Sequence, residues 1–214
     1  MIRILIADDH TIVREGLKQM LSACADFKVV GEASNGHEVL ARLEDCPCDL
    51  LLLDMSMPGR SGTELIRQVK SERPKLQVLV LTMHEEHQYA VRAIKAGAAG
   101  YLTKETASDL LVSAIRKVAS GGAFITPAVA EQLALDAMPR TSVTPHLALS
   151  DREFQVLRLL VAGRSVTDIA EELHLSVKTI STHKARMMQK LDISSQADLI
   201  RYAISHNLDG AASD

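Results

Sequence analysis

Aromatic side chains are scarce in this chain: it has no tryptophan, three tyrosines and three phenylalanines in 214 residues. Proteins that hold single-stranded nucleic acid stack successive bases on aromatic faces, so the composition speaks against that class. Cysteine is as rare. The three thiols, Cys24, Cys46 and Cys48, are odd in number, and Cys46-Pro47-Cys48 lacks the second half that a zinc site needs. They read as reduced thiols of a cytoplasmic protein. No apolar run is long enough to span a bilayer, and the N-terminus enters a strand pattern with no basic leader or cleavage site. A cytoplasmic location and no membrane partner are therefore expected. A net charge of −3 does not advertise nucleic-acid binding either, so the distribution of charge matters more than its sum.

What the chain does have is a run of leucines, Leu50 to Leu53, followed by Asp54-Met55-Ser56-Met57-Pro58. A short, wholly apolar run suits a strand buried on both faces of a parallel sheet. Open α/β sheets bind their ligands at the carboxyl ends of such strands. By itself Asp54 could equally be a polar strand terminator or a helix cap. The rest of the first half bears on that choice. Ile2 to Ala7 reads as a strand ending in Asp8-Asp9-His10, and Thr11 to Cys24 as a helix with Ile12, Val13, Leu17, Met20 and Leu21 at helical spacing. Lys28–Ala33 and Leu76–Leu81 read as further strands, the latter ending at Thr82. Ala98–Leu102 reads as a fifth, ending in Thr103-Lys104. Helical patterns lie between them, one starting near Glu85 and closing at Gly97, another from Ser108 to Val118.

Five strands alternating with five helices predict a doubly wound parallel sheet with right-handed crossovers. Asp8, Asp9, Asp54, Thr82 and Lys104 then all fall at strand ends along one edge. Clustered carboxylates repel one another unless a cation sits among them, and a few hard oxygen ligands suit Mg²⁺. A nucleophilic carboxylate, a divalent ion, a hydroxyl and a lysine together suit transfer of a phosphoryl group onto Asp54.

These residues resemble the receiver domain of a two-component response regulator, with CheY-like topology, over residues 1–120. The likeness rests on Asp8-Asp9, the Asp54–Pro58 turn, Thr82, and Tyr101 followed by Lys104. It implies that Asp54 accepts phosphate from a sensor histidine kinase. It further implies that Asp9, Asp54 and the backbone carbonyl of Ser56 hold Mg²⁺, with Asp8 acting through water. Thr82 and Tyr101 would form the switch. Glu105 departs from the pattern, standing where many receivers have proline.

From Gly121 to Ala148 the pattern changes to a linker. Thr126-Pro127 can open a short helix carrying Val129, Ala130, Leu133 and Leu135, and Met138 to Pro145 is rich in proline and hydroxyls. Beyond it, Ser150-Asp151-Arg152-Glu153 is a capping box, and Ser165, Ser176 and Ser195 open three more helices. Two helices joined by the His174-Leu175 turn, the second one basic, match a helix-turn-helix. Between Ser176 and Leu191 stand Lys178, Lys184, Arg186 and Lys190, with no acid. Val177, Ile180, Met187 and Leu191 should face the core of that helix. In the last helix Ala197, Leu199, Ile200 and Ala203 should carry the apolar face.

Residues 149–208 resemble the LuxR-type helix-turn-helix of the NarL/FixJ subfamily, through Leu149–Glu153, Ile169-Ala170 and Ser176–His183. The resemblance implies a transcription factor bound to double-stranded DNA. Ser181, Thr182 and Ala185 would face bases, and Lys178, Thr179 and Lys184 the backbone. His183 is open to either a phosphate contact or a packed role. RNA polymerase would be a further partner, activation would favour a homodimer through the last helix, and residues 209–214 would be a tail. An α/β receiver plus a small all-α domain is thus the expected architecture, acting as a regulator and not an enzyme. Two rivals fail on single residues. A dehalogenase-like phosphatase needs a second aspartate at the position of Ser56, and a flavodoxin-like flavin carrier needs a phosphate cradle where Asp8-Asp9 would repel one.

Overall fold

The computed structural model describes residues 1–58, 62–83, 87–105, 107–137, 145–206 and 208. Most of the loop expected at Gly59–Gly62, the helix start near Glu85, the Met138–Thr144 part of the linker and the 209–214 tail lie outside the described residues. The chain divides into two compact units, Met1–Pro139 and Arg140–Asp214.

The first unit alternates strands β1 (Ile2–Ala7), β2 (Phe27–Ala33), β3 (Leu50–Leu53), β4 (Gln77–Thr82) and β5 (Gly100–Thr103) with helices. These are α1 (Thr11–Ser22), α2 (Gly36–Asp45), α3 (Gly62–Glu72), α4 (His87–Ala96), α5 (Ala107–Ala119) and α6 (Pro127–Ala137). The strands form one all-parallel sheet in the order β2-β1-β3-β4-β5. All four leucines of β3 are buried, as its central position requires. On one face Ile4, Ile6, Leu50, Leu52, Leu79 and Leu81 pack with Leu17 and Leu21 of α1 and Leu111, Ile115 and Val118 of α5. Strand side chains alternate, so Leu5, Leu51, Val78 and Val80 serve the other face, where Val39, Leu43, Leu65, Ile66 and Val69 are buried. Each buried leucine contributes roughly 1.5–3 kcal/mol of transfer free energy.

Ile12 departs from expectation. It lies in α1 but is 88% exposed, because at 100° per residue it falls on the face opposite Leu17 and Leu21, while its neighbour Val13 packs against the core. Gly97 ends α4 at φ +111, a conformation that a side chain would strain.

The 121–148 segment is not uniform. The Phe124 N–H donates to the Ala99 carbonyl (2.9 Å), and the Tyr101 N–H donates to the Phe124 carbonyl (3.0 Å), so Phe124 lines the open edge of β5. Gly100 permits this approach: a Cβ there would stand 2.7 Å from Leu79 Cδ1 and 3.1 Å from the Phe124 carbonyl oxygen. Helix α6 then packs on α4, with Val129 buried and Leu135 exposed. Residues 121–137 therefore belong to the first compact unit and do not hang free as a linker.

The second unit opens with a 3-10 turn, Pro145–Ala148, followed by α7 (Asp151–Val161), α8 (Val166–Glu172), α9 (Val177–Leu191) and α10 (Gln196–Ser205). Each helix start follows its serine. Ser150, Ser165, Ser176 and Ser195 accept a hydrogen bond from the backbone N–H three residues on, and the first two complete full capping boxes. Phe154, Val156, Leu157 and Leu160 of α7 meet Ile180, Met187 and Leu191 of α9 in the core. Val177, expected inward, is 47% exposed, since the first turn of α9 projects past the packed seam. Ala197 and Ile200 are also exposed, leaving Leu199 and Ala203 as the buried pair of α10.

One ion pair ties this unit together. Lys190 Nζ, near the end of α9, donates to buried Glu153 at 2.7 Å, and the same carboxylate accepts the Ser150 N–H. Burial opposes ionisation of Glu153, but the bonds from Lys190 and Ser150 outweigh it and hold its pKa below the ordinary glutamate value. The resulting stability is present above the unfolded glutamate pKa and is lost as pH falls through the depressed folded one. Lys190→Ala should leave Glu153 buried without its cation and cost about 1–3 kcal/mol. Hydrogen exchange of the α7 and α9 amides should accelerate accordingly, and unchanged protection would show the pair to be unimportant.

Candidate phosphoacceptor and nucleic-acid sites

Parallel register brings the polar strand ends together. Ala7 pairs with Leu53, so Asp8 and Asp54 leave adjacent strands side by side, and the Asp54 N–H donates to the Ala7 carbonyl at 2.8 Å. Thr82 pairs with Thr103, and the Lys104 N–H donates to the Thr82 carbonyl at 2.7 Å. Asp8 and Asp54 are buried, Asp9 is partly open, and Lys104 reaches in between the first two. Its Nζ lies 2.8 Å from Asp8 Oδ2 and 3.2 Å from Asp54 Oδ2. Thr82 is wholly buried, and Tyr101 is 8% exposed, its ring already packed inside. Glu105 forms a turn with Lys104 and points outward.

Charge does not balance here. Asp8 and Asp54 share one lysine, with Asp9 close by, and neither oxygen of Asp54 has a well-formed hydrogen bond, Lys104 Nζ at 3.2 Å and the Ser56 N–H being its nearest donors. Burial pushes the Asp54 carboxyl above the usual aspartate range; Lys104 opposes this and the neighbouring Asp8 adds to it. Burial pulls the Lys104 ammonium down, but Asp8 and Asp54 outweigh that and raise it, so it stays charged. Buried oxygens short of hydrogen bonds beside an excess of negative charge are what a hard divalent cation satisfies. Ligand atoms of Asp8, Asp9, His10 and Asp54 lie within 4.8 Å of one another, so the donor set fits such an ion.

His10 was not among the expected site residues. Its Nδ1 lies 3.2 Å from Asp8 and 3.0 Å from Asp9, and its backbone N–H donates to Asp8 Oδ1 at 2.9 Å. The only signal in the sequence was its place directly after the acid pair.

In the second unit, α8 and α9 meet through a tight turn in which His174 adopts φ 51. Lys178, Ser181, Thr182, Ala185, Arg186 and Gln189 of α9 are exposed, while Thr179 and Lys184 are half-buried. The Ser181 and Thr182 hydroxyls donate to the carbonyls of Val177 and Lys178, both at 2.9 Å, which leaves their lone pairs directed outward. Thr179 turns toward the Ser176 cap, with 2.8 Å between hydroxyls. His183 is half-buried, and that burial, aided by Arg152 and Arg186 and opposed by Glu153, lowers its pKa, which favours the packed role. Lys190 is committed to Glu153, so the outward cations of α9 are Lys178, Lys184 and Arg186.

Two family models match the chain: the response regulator receiver domain over residues 4–116 and the bacterial regulatory proteins, luxR family, over residues 147–203. The chain belongs to the response regulators that join these two parts. It is 39% identical over 209 residues to the response regulator UvrY of Escherichia coli K12, covering 97% of this chain and 96% of that one. It is 37% identical to the response regulator GacA of Pseudomonas aeruginosa PAO1 over the full length of both. Among solved structures, RcsB of Salmonella typhimurium superposes with a TM-score of 0.61 at 31% identity, covering 95% of this chain and all of that one. A structure of an RcsB–DNA complex matches with a TM-score of 0.59 at 31% identity, covering 95% of this chain and 98% of that one.

The imbalance at Asp54 has a measurable consequence. A carboxyl whose folded pKa exceeds its unfolded value destabilises the fold as pH rises from the unfolded to the folded pKa. In a chelating buffer at neutral pH, Asp54→Asn should therefore be more stable to urea than the parent chain, by about 1–3 kcal/mol, with the gap closing in acid. A destabilised variant would show that Asp54 is well compensated.

Proposed function

We propose that Asp54 accepts a phosphoryl group from a sensor histidine kinase and that this event controls DNA binding by the second unit. The observation that carries the reading is the buried Asp54 carboxylate without a well-formed hydrogen bond, set between an acidic cluster and one lysine. Asp9, Asp54 and the backbone carbonyl of Ser56 would hold Mg²⁺, with Asp8 acting through water. A bound Mg²⁺ would offset the charge on the phosphoryl oxygens. An Asp54 oxygen attacks phosphorus as the bond to the kinase imidazole nitrogen breaks, and the imidazole leaves with the electron pair. Lys104 turns from its two aspartates to a phosphoryl oxygen, and the Thr82 hydroxyl donates to another. The aspartyl phosphate carries about −1.5 to −2 where the ionised carboxylate carried −1, at a site already short of cations, which favours rearrangement of Thr82 and Tyr101.

In domain terms, residues 1–120 form the receiver, 121–148 the connection, whose 121–137 part packs on the receiver, 149–208 the DNA-binding domain and 209–214 a tail. On α9, Ser181, Thr182 and Ala185 read base edges, while Lys178, Thr179 and Lys184 contact phosphates. RcsB, which this chain resembles over nearly its whole length, forms DNA complexes, including one of two dimers on two parallel DNAs. A homodimer suits α10, where Ile200 and Ile204, one turn apart, are 37% and 57% exposed. RNA polymerase is the further partner expected of a transcription regulator, and a cytoplasmic location accords with this reading.

Two outcomes test these assignments. Asp54→Asn should abolish labelling by a small phosphodonor in Mg²⁺; undiminished labelling would put the acceptor elsewhere. Lys184→Ala should weaken binding to all duplex sequences and reduce the slope of log affinity against log salt by about 0.9. An unaltered slope would remove Lys184 from the interface.

A further inference from the structure

We infer that Arg14 is a positioning residue for cation binding: braced by Glu32, its guanidinium fixes the peptide at Asp8 and so aims the acid pair at Asp54. The inference rests on the cation reading given under Proposed function.

The turn from β1 to α1 needs such a brace. It carries Asp8 and Asp9, but His10, the N-cap of α1, makes no side-chain capping bond to the helix. Arg14 supplies what the cap does not. Its Nη1 donates to the Asp8 carbonyl at 2.7 Å, its Nε to Glu32 Oε2 at 3.2 Å, and its Nη2 to Thr11 Oγ1 at 3.3 Å. One planar group thus links the end of β1, the start of α1 and strand β2. Glu32 is fixed in turn by its register opposite Ile6 and by Lys18 Nζ at 2.7 Å, one helical turn beyond Arg14 on the same face. The Arg14 side chain is only 14% exposed. Holding the Asp8 carbonyl limits rotation of the Asp8–Asp9 peptide, and with it the directions of both carboxylates. A second layer of this kind typically contributes ten- to a hundredfold to metal affinity.

The sign of the effect separates positioning from plain electrostatics. Arg14 is a cation close to a cation site, so through space alone its removal should tighten Mg²⁺ binding. A positioning role requires the opposite. Lysine keeps the charge but cannot reproduce the planar fork that reaches a carbonyl and a carboxylate at once.

The test is Mg²⁺ titration by calorimetry of the full chain, at fixed ionic strength, for the parent, Arg14→Ala and Arg14→Lys. Circular dichroism and thermal unfolding in a chelator establish that each variant is folded. Both variants should bind Mg²⁺ about tenfold more weakly than the parent. Equal or tighter binding by a folded variant would overturn the role of Arg14. If Arg14→Ala does not fold, Arg14→Lys decides alone. A parent chain that binds no Mg²⁺ would overturn the cation reading itself, and this inference with it.

Discussion

The pairing of Asp8 and Asp54 across one lysine is the constraint on which the first unit turns. Two carboxylates leave neighbouring strands side by side because Ala7 and Leu53 are in register, and Lys104 is too little charge for both. A fold chosen only for stability would replace one of these acids or add a hydrogen bond to Asp54. The chain keeps the imbalance. Stability comes instead from the layer beneath, where the leucines of β3 and the faces of α1 and α5 bury a continuous apolar core. A rigid base with an unsatisfied edge is the condition for a site whose energy changes sharply when a cation or a phosphoryl group arrives.

The same edge touches the rest of the unit at short range. Lys104 is bonded through its backbone to Thr82, and Tyr101, three residues earlier, is bonded through its backbone to Phe124 at the edge of β5. Helix α6 follows within a few residues and packs on α4. On the proposed reading, a rearrangement of Thr82 and Tyr101 therefore acts on the segment that leaves the receiver, without passing through the apolar core. The second unit is organised differently. Helix α9 is held by its capping serine and by the Lys190–Glu153 pair, so its outward face is presented by a fixed scaffold.

Much of this was legible because it depends on period and punctuation. The buried run of β3, the strand-end acids and the serine caps follow from local sequence, and parallel topology then forces the acids together. What was not legible depends on contacts between distant residues. Val177 shares the face of Ile180, Met187 and Leu191 yet is 47% exposed in the first turn of α9, which spacing alone does not reveal; Ile12 falls on the face of α1 away from Leu17 and Leu21. Residues 121–137 have linker-like composition, yet Gly100 opens room for Phe124 and binds the segment to the sheet. Lys190 fits the basic pattern of α9, but Glu153, 37 residues earlier, pairs with it. Arg14 and Glu32 carry no motif and become meaningful only through their distances to Asp8.

The central claim is that chemistry at Asp54 governs the DNA-binding face of α9. Its most direct test is the affinity of the full-length chain for duplex DNA drawn from a selected pool, measured with and without beryllofluoride and Mg²⁺, with sedimentation on the same samples. Tighter and more sequence-selective binding, together with dimer formation in beryllofluoride, is the predicted result. Equal affinity and equal mass in both states would contradict the coupling, leaving a DNA-binding protein whose acidic site serves another purpose.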